Sequence, residues 1–119
     1  MGGLSVPTVS IKVIPIGVGP SLSRYIARVV ALLEAKGYKP LVTPDTTVIQ
    51  VNDVSEIGPL VRMIHDELYS MGVARVLTII MIDERRDVAE APPQAAVEKV
   101  LARLQEERKK FTRDVHGVI

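Results

Sequence analysis

From Thr8 to Ile14 the chain sets Val9, Ile11 and Val13 against Thr8, Ser10 and Lys12. That alternation predicts a strand with one buried face. Pro15 and the Gly17-Val18-Gly19-Pro20 stretch end it. Ser21 then offers a hydroxyl to cap a helix in which Leu22, Ile26, Val29, Val30 and Leu33 recur at helical spacing, with Gly37 as the stop. Two short apolar stretches follow, Tyr38–Thr43 and Thr47–Val51, around Pro44-Asp45-Thr46. They read as a hairpin, and Pro40 confines the first strand to an edge or to its beginning. Asp53 or Ser55 opens a second helix with Pro59 in or near its first turn. Its buried stripe is Ile57, Leu60, Val61, Ile64, Leu68 and Met71, and Gly72 ends it.

Arg75–Ile82 has a different character. Val76, Ile80 and Ile82 lie on one face of the predicted strand and Leu77, Ile79 and Met81 on the other, so both sides need cover. Asp83–Asp87 is a charged exit, and Ala91–Pro93 a break. A third helix is predicted over Ala95–Lys110 (its limits about 94–110), with Val97, Val100, Leu101 and Leu104 on one stripe, followed by a loosely held tail, Phe111–Ile119. Strand, helix, strand, strand, helix, strand makes an α+β fold, the ferredoxin-like βαββαβ sandwich, with an antiparallel four-stranded sheet and an additional C-terminal helix. One domain spans 1–119, its core about 8–87. Two helices cover one sheet face. Leu77, Ile79 and Met81 are left on the other, an apolar surface unusual on a soluble monomer. The third helix is polar around most of its circumference, so the expectation is sheet-to-sheet self-association with closed symmetry.

Composition narrows the functions. The chain has 119 residues, 47% hydrophobic, with 15 Lys+Arg against 14 Asp+Glu. That is enough apolar material for a single core, and it excludes wholesale disorder. No apolar run reaches a bilayer's width, and Met1–Ser10 lacks a secretory signal pattern, so a cytoplasmic protein is expected. The absence of Cys excludes disulfides, thiolate metal sites and a Cys nucleophile. Near-zero net charge and four aromatics (Tyr25, Tyr38, Tyr69, Phe111) argue against nucleic-acid binding.

Candidate chemistry is local. Gly17–Ser21 joins a strand to a helix, where free amides favour anions, although no phosphate-loop motif is present. Thr43-Pro44-Asp45-Thr46-Thr47 gathers an acid and three hydroxyls, more than a turn requires, which points to a polar pocket. Gln50, in the next strand, both donates and accepts. His65 has only His116 as a possible second imidazole, so no metal site is expected. An enzyme using His65 with Asp83 or Asp87 as acid and base would need a nucleophile or substrate pocket that the sequence does not display, so no catalytic residue is assigned. His65 reads instead as a helix histidine hydrogen-bonded to its surroundings, and Arg85, Arg86 and Asp87 as a solvated strand exit or interface ion pairs.

Taken in order, Ser10, Pro15, Gly17, Ser21-x-Ser23-x-Tyr25, Thr43-Pro44, Thr47-Val48-Ile49, His65, Gly72, Arg75-Val76, Thr78, Asp83 and Arg85-Arg86-Asp87 resemble the small thiamine-binding protein family, long catalogued as uncharacterised. The likeness runs from about Val9 to Asp87. It implies homotetramers, as dimers of dimers, assembled through the sheets. It also implies an interfacial pocket for thiamine or its pyrimidine moiety, without catalysis or a resident cofactor. Ser21, Ser23, Thr43, Asp45, Thr47 and Gln50 would make polar contacts, with Tyr25 and Ile49 as wall. The chain departs from the family's usual Thr-Pro-Met-Gly-Thr, which reads Thr43-Pro44-Asp45-Thr46-Thr47 here. It departs again at Gln50, where the family carries Glu, and at Pro40, where it carries an aromatic. Loss of that carboxylate weakens attraction to a cation, since a charge-assisted contact is about twice as strong as a neutral one. Asp45 returns a negative charge from a neighbouring position, in a rearranged pocket. The alternative is a structural or regulatory homo-oligomer that binds a different metabolite.

Overall fold

A computed structural model describes residues 6–87 and 93–118, with side chains as far as Thr112. Its elements are β1 (Thr8–Ile16), α1 (Ser23–Ala35), β2 (Leu41–Val42), β3 (Thr47–Gln50), α2 (Ile57–Ser70), β4 (Arg75–Asp83) and α3 (Pro93–Val118). The sheet is antiparallel throughout, in the order β2-β3-β1-β4. This is the ferredoxin-like arrangement, in which each βαβ unit is split by a strand of the other.

The buried face of β1, Val9, Ile11 and Val13, meets Ile49 of β3, Val29 and Leu33 of α1, and Leu60, Ile64 and Leu68 of α2. Both helices end alike. Gly37 and Gly72 take φ of +93° and +91°. Each lets the following residue turn back, so that the Tyr38 N–H donates to the Leu33 carbonyl at 3.0 Å and the Val73 N–H to that of Leu68 at 3.3 Å. That is the Schellman closure, and it seats Tyr38 and Val73 against the core. Asp53 caps a short 3-10 turn, Val54–Glu56, that leads into α2. Its carboxylate accepts from the Ser55 N–H at 2.9 Å, and the Glu56 carboxylate accepts from the Asp53 N–H at 2.8 Å. This reciprocal pair is a capping box.

Three expectations need correction. Ser21 does not cap α1: the N-cap is Leu22, which lends no side-chain bond, and its carbonyl takes the Tyr25 and Ile26 N–H groups. Gly17 and Gly19, at φ +83° and +98°, and a bend at Pro20 shape the approach, and the helix starts one residue later than a Ser21 cap would set. The hairpin strands are shorter than the apolar stretches, because Pro40 and the Thr43–Thr46 turn remove ladder positions. The segment from Phe111 is not a tail but continues α3, a helix of 26 residues reaching Val118. A solvated face of Lys, Arg and Glu sustains a helix without needing a core beneath it. Of the expected break over Ala91–Pro93, Pro93 is the first residue of α3, while 91–92 and the side chain of His116 lie outside the described residues.

The outer sheet face is bare. Leu77, Ile79 and Met81 are 48%, 53% and 67% exposed, and in register with them on β1 are Ile14, Lys12 and Ser10. α3 leaves this surface open. It projects from the far end of β3, and its own Val97, Val100 and Leu101 are exposed. The radius of gyration is 18.5 Å, against about 13.5 Å for a compact chain of this length. No described helix is long and apolar enough to cross a membrane.

Candidate functional site

Pairing between β1 and β3 stops at Ile11↔Thr47, while β1 continues beside β4 to Ile16↔Arg75. Half of β1 therefore has an open edge. The hairpin turn bends over it and the first turns of α1 close it from below. The result is a notch of about 450 Å³ lined by Ile11, Lys12, Val13, Ile14, Leu22, Ser23, Ile26, Val29 and Thr43–Thr47.

The turn is held by its own hydroxyls. Thr43 Oγ1 donates to the Thr46 carbonyl at 2.8 Å and accepts from the Thr46 N–H at 2.9 Å and the Asp45 N–H at 3.3 Å. Thr43 and Thr46 are thus engaged in shaping the rim. Thr47 is nearly buried and faces the notch, and its hydroxyl has no hydrogen-bond partner among the described residues. Across the rim, Lys12 Nζ donates to Asp45 Oδ1 at 2.6 Å. Lys12 belongs to the polar face of β1, opposite Ile79, and the sequence pattern casts it as a solvated strand residue. Only the folded hairpin brings Asp45 to it. The carboxylate that the sequence offers to a cationic ligand therefore has a cation on it already. Each of the two is more than a third exposed, so the pair adds little to stability and is free to exchange partners.

Of the expected site residues, Ser23, Thr43, Asp45 and Thr47 line the notch. Ser21 lies exposed just before α1. Tyr25 packs against the core, with the Arg24 guanidinium 5.6 Å from its ring centroid. Ile49 is fully buried between the layers. Gln50 lines a different cavity, of about 440 Å³, with Val6, Lys36, Gly37, Tyr38, Lys39, Asn52, Glu56, Pro93 and Gln94. There the Tyr38 hydroxyl donates to Glu56 Oε1 at 3.0 Å. Burial first, then that bond and the Glu56 charge, push the phenol above its ordinary range. The Asp53 carboxyl is held below its ordinary range, chiefly by the Ser55 hydrogen bonds. Reasoning from sequence missed Lys12, Ile26 and the main chain of Val13. The local signal was the polar phase of β1, and the decisive information was the β1–β3 register.

His65 sits apart from the notch. Its Nε2 lies 2.6 Å from Thr78 Oγ1 on β4, and its ring meets Tyr69 edge-on at 6.2 Å. The Arg85–Asp87 and Arg86–Glu84 pairs at the exit of β4 are exposed. The described residues contain no group of three or more His, Asp or Glu able to hold a metal ion.

This geometry can hold a small molecule with both polar edges and apolar faces: hydroxyls and an ion pair on the rim, aliphatic walls below. Known proteins agree on the class. The family described as thiamine-binding protein matches residues 9–107. A UPF0045 protein of Staphylococcus xylosus is 40% identical over 86 residues, 66% of this chain and 78% of that protein. The UPF0045 protein YqgV of Bacillus subtilis is 39% identical over 82 residues, 65% of this chain and 78% of its own. Among solved structures, a hypothetical protein of Methanocaldococcus jannascii superposes with a TM-score of 0.67 at 25% identity, covering 82% of this chain and 96% of that one. A Thermotoga maritima protein described as a candidate for thiamine biosynthesis or salvage gives 0.66 at 25% identity, covering 80% and 98%. With a match over most of its length and relatives of about 40% identity, this chain belongs to the thiamine-binding protein family.

Proposed function

We propose that the protein is a non-enzymatic small-molecule binder whose notch takes thiamine or its pyrimidine moiety. We propose further that the notch is completed at an interface between subunits of a cytoplasmic homo-oligomer, a dimer of dimers formed through the bare sheet faces. The observation that carries the reading is the convergence of Ser23, Thr43, Asp45 and Thr47 on one cavity, in a chain of this family. The ligand's aminopyrimidine would meet hydroxyl and main-chain groups, its apolar faces Ile14 and Ile26, and its thiazolium the Asp45 carboxylate once Lys12 has moved aside. Apolar cover for the outer face would come from a second copy, since Leu77, Ile79 and Met81 match their own symmetry mates in character.

Thermal denaturation and calorimetry test this. Thiamine at a hundred times its dissociation constant adds about 2.7 kcal/mol, which for a chain of this size raises Tm by about 10 °C. No shift with thiamine, its phosphates or its pyrimidine at millimolar concentration would refute it. One observation favours a second reading, a structural or regulatory homo-oligomer that binds another metabolite: the Lys12–Asp45 pair neutralises the lining carboxylate and presents a cation suited to an anionic group. Mass spectrometry of small molecules that co-purify with the protein separates the two.

A further inference from the structure

Val13 is 5% exposed, yet its N–H and carbonyl find no hydrogen-bond partner among the described residues. The Val51 N–H donates to the Pro7 carbonyl at 3.1 Å, and the β1–β3 register carries that pairing on through Val9↔Ile49 to Ile11↔Thr47. In an antiparallel ladder a residue directs both main-chain groups to one neighbour, and successive residues alternate sides. Odd-numbered residues of β1 therefore face β3 and even-numbered ones face β4. The hairpin is consistent with this phase. The Thr43 N–H donates to the Thr46 carbonyl at 2.9 Å and Leu41 pairs with Val48, which leaves Thr47 and Ile49 directed at β1. The next ladder position, opposite Val13, belongs to Asp45. There the Thr43 hydroxyl draws the Asp45 and Thr46 N–H groups into the turn and takes the chain out of the ladder.

Among the described residues nothing accepts from the Val13 N–H or donates to its carbonyl. Val13 lines the notch, and the ladder phase directs both groups to its open side, where β3 has ended. Pro15, the next residue on this edge, has no N–H, so the edge is a poor template for an added strand. What remains is one donor beside one acceptor, set between Ile11, Ile14 and Ile26. Main-chain groups this deep are normally paired, and a ligand seated in the notch is placed to pair them.

We propose that the Val13 N–H and carbonyl read the edge of a flat heteroaromatic ligand that presents a ring-nitrogen acceptor beside an exocyclic amino donor, as a 4-aminopyrimidine does. This rests on the proposed binding function and names the chemical edge selected. The side chains on the rim then set affinity, and the main chain of β1 sets which ring is accepted. Because the recognising groups belong to the backbone, the selectivity tolerates the exchange of family residues at Asp45, Thr46 and Gln50.

The test is a titration of the ¹⁵N-labelled full chain with thiamine, with 4-amino-5-hydroxymethyl-2-methylpyrimidine, and with oxythiamine. In oxythiamine a 4-oxo group and a ring N–H reverse the donor and acceptor. With either aminopyrimidine the Val13 amide proton should move downfield and its exchange with deuterium slow by at least about tenfold. Oxythiamine should bind at least about tenfold more weakly, since it sets donor against donor. If an aminopyrimidine perturbs the notch but leaves the Val13 amide unmoved, or if oxythiamine binds as tightly as thiamine, this inference fails and the binding function stands. If neither aminopyrimidine binds at millimolar concentration, both fall.

Discussion

Replacing Ile79 by Lys tests the proposed assembly at its centre. Ile79 lies in the middle of the bare sheet face, half exposed, between Leu77 and Met81 on its own strand and opposite Lys12 on β1. The exposed parts of Leu77, Ile79 and Met81 amount together to rather more than one and a half whole side chains. At about 1.5–3 kcal/mol for each fully buried side chain, covering them contributes roughly 2.5–5 kcal/mol per subunit, and twice that across a two-fold interface. Ile79→Lys removes roughly 1–1.5 kcal/mol of this from each subunit. It also sets a second ammonium beside Lys12, and its twin carries the same charge into the same interface. Adding the cost of desolvating those charges, the dimer dissociation constant should rise by at least about a hundredfold. The outer face contributes little to the monomer's own core, so the circular dichroism spectrum should be unchanged. Sedimentation equilibrium between about 1 and 100 µM measures the effect against the interface energy above. A wild-type protein that is monomeric across that range would refute the reasoning, and so would a variant that associates as tightly as the wild type.

The ion pair on the notch rim gives a prediction with a sign. Lys12→Met leaves Asp45 without its cation and should tighten thiamine binding by about three- to tenfold in calorimetry, whereas Asp45→Asn should weaken it by a similar factor; the second reading of function predicts that Lys12→Met loses its ligand. Neither change should alter Tm by more than the equivalent of about 1 kcal/mol, because the pair is exposed. Gly72→Ala forces a side chain into the left-handed region at φ +91° and should destabilise the fold by about 1–2 kcal/mol in urea titration. The Asp53 cap predicts a direction with pH. Its native pKa is lowered, so its contribution is complete above about pH 4 and is lost as pH falls through the native value. Asp53→Asn should therefore lower the neutral plateau of a stability–pH curve and flatten its acid limb, with little change at the acid end.

Most of the fold was legible because its signals are local. The two-residue period of Val9, Ile11 and Val13, the helical stripes ending at Gly37 and Gly72, and the doubly apolar Arg75–Ile82 strand each depend on side chains within one element. Their order leaves few topologies. Errors fell where competing local choices were close in energy. Ser21 is a good cap in isolation, but the chain enters the helix at Leu22 instead. The stretch from Phe111 carries little apolar patterning, yet helix propensity and charge pairing are enough to continue α3. The site was only half legible. Ser23, Thr43, Asp45 and Thr47 could be picked out by chemistry, whereas Gln50, three residues after Thr47 on the same strand, falls on the opposite face by strand alternation and lines another cavity.

The amino-acid sequence alone determined the elements, their order, the buried stripes and the excess of apolar residues on one sheet face, because each follows from the spacing of side chains along the backbone. Tertiary structure decided where the ladder between β1 and β3 stops, and with it that Lys12 meets Asp45, that Thr47 opens to a cavity and that the Val13 main chain finds no hydrogen-bond partner among the described residues. Those outcomes turn on contacts between residues more than thirty positions apart, brought together by register and by the bend of one turn.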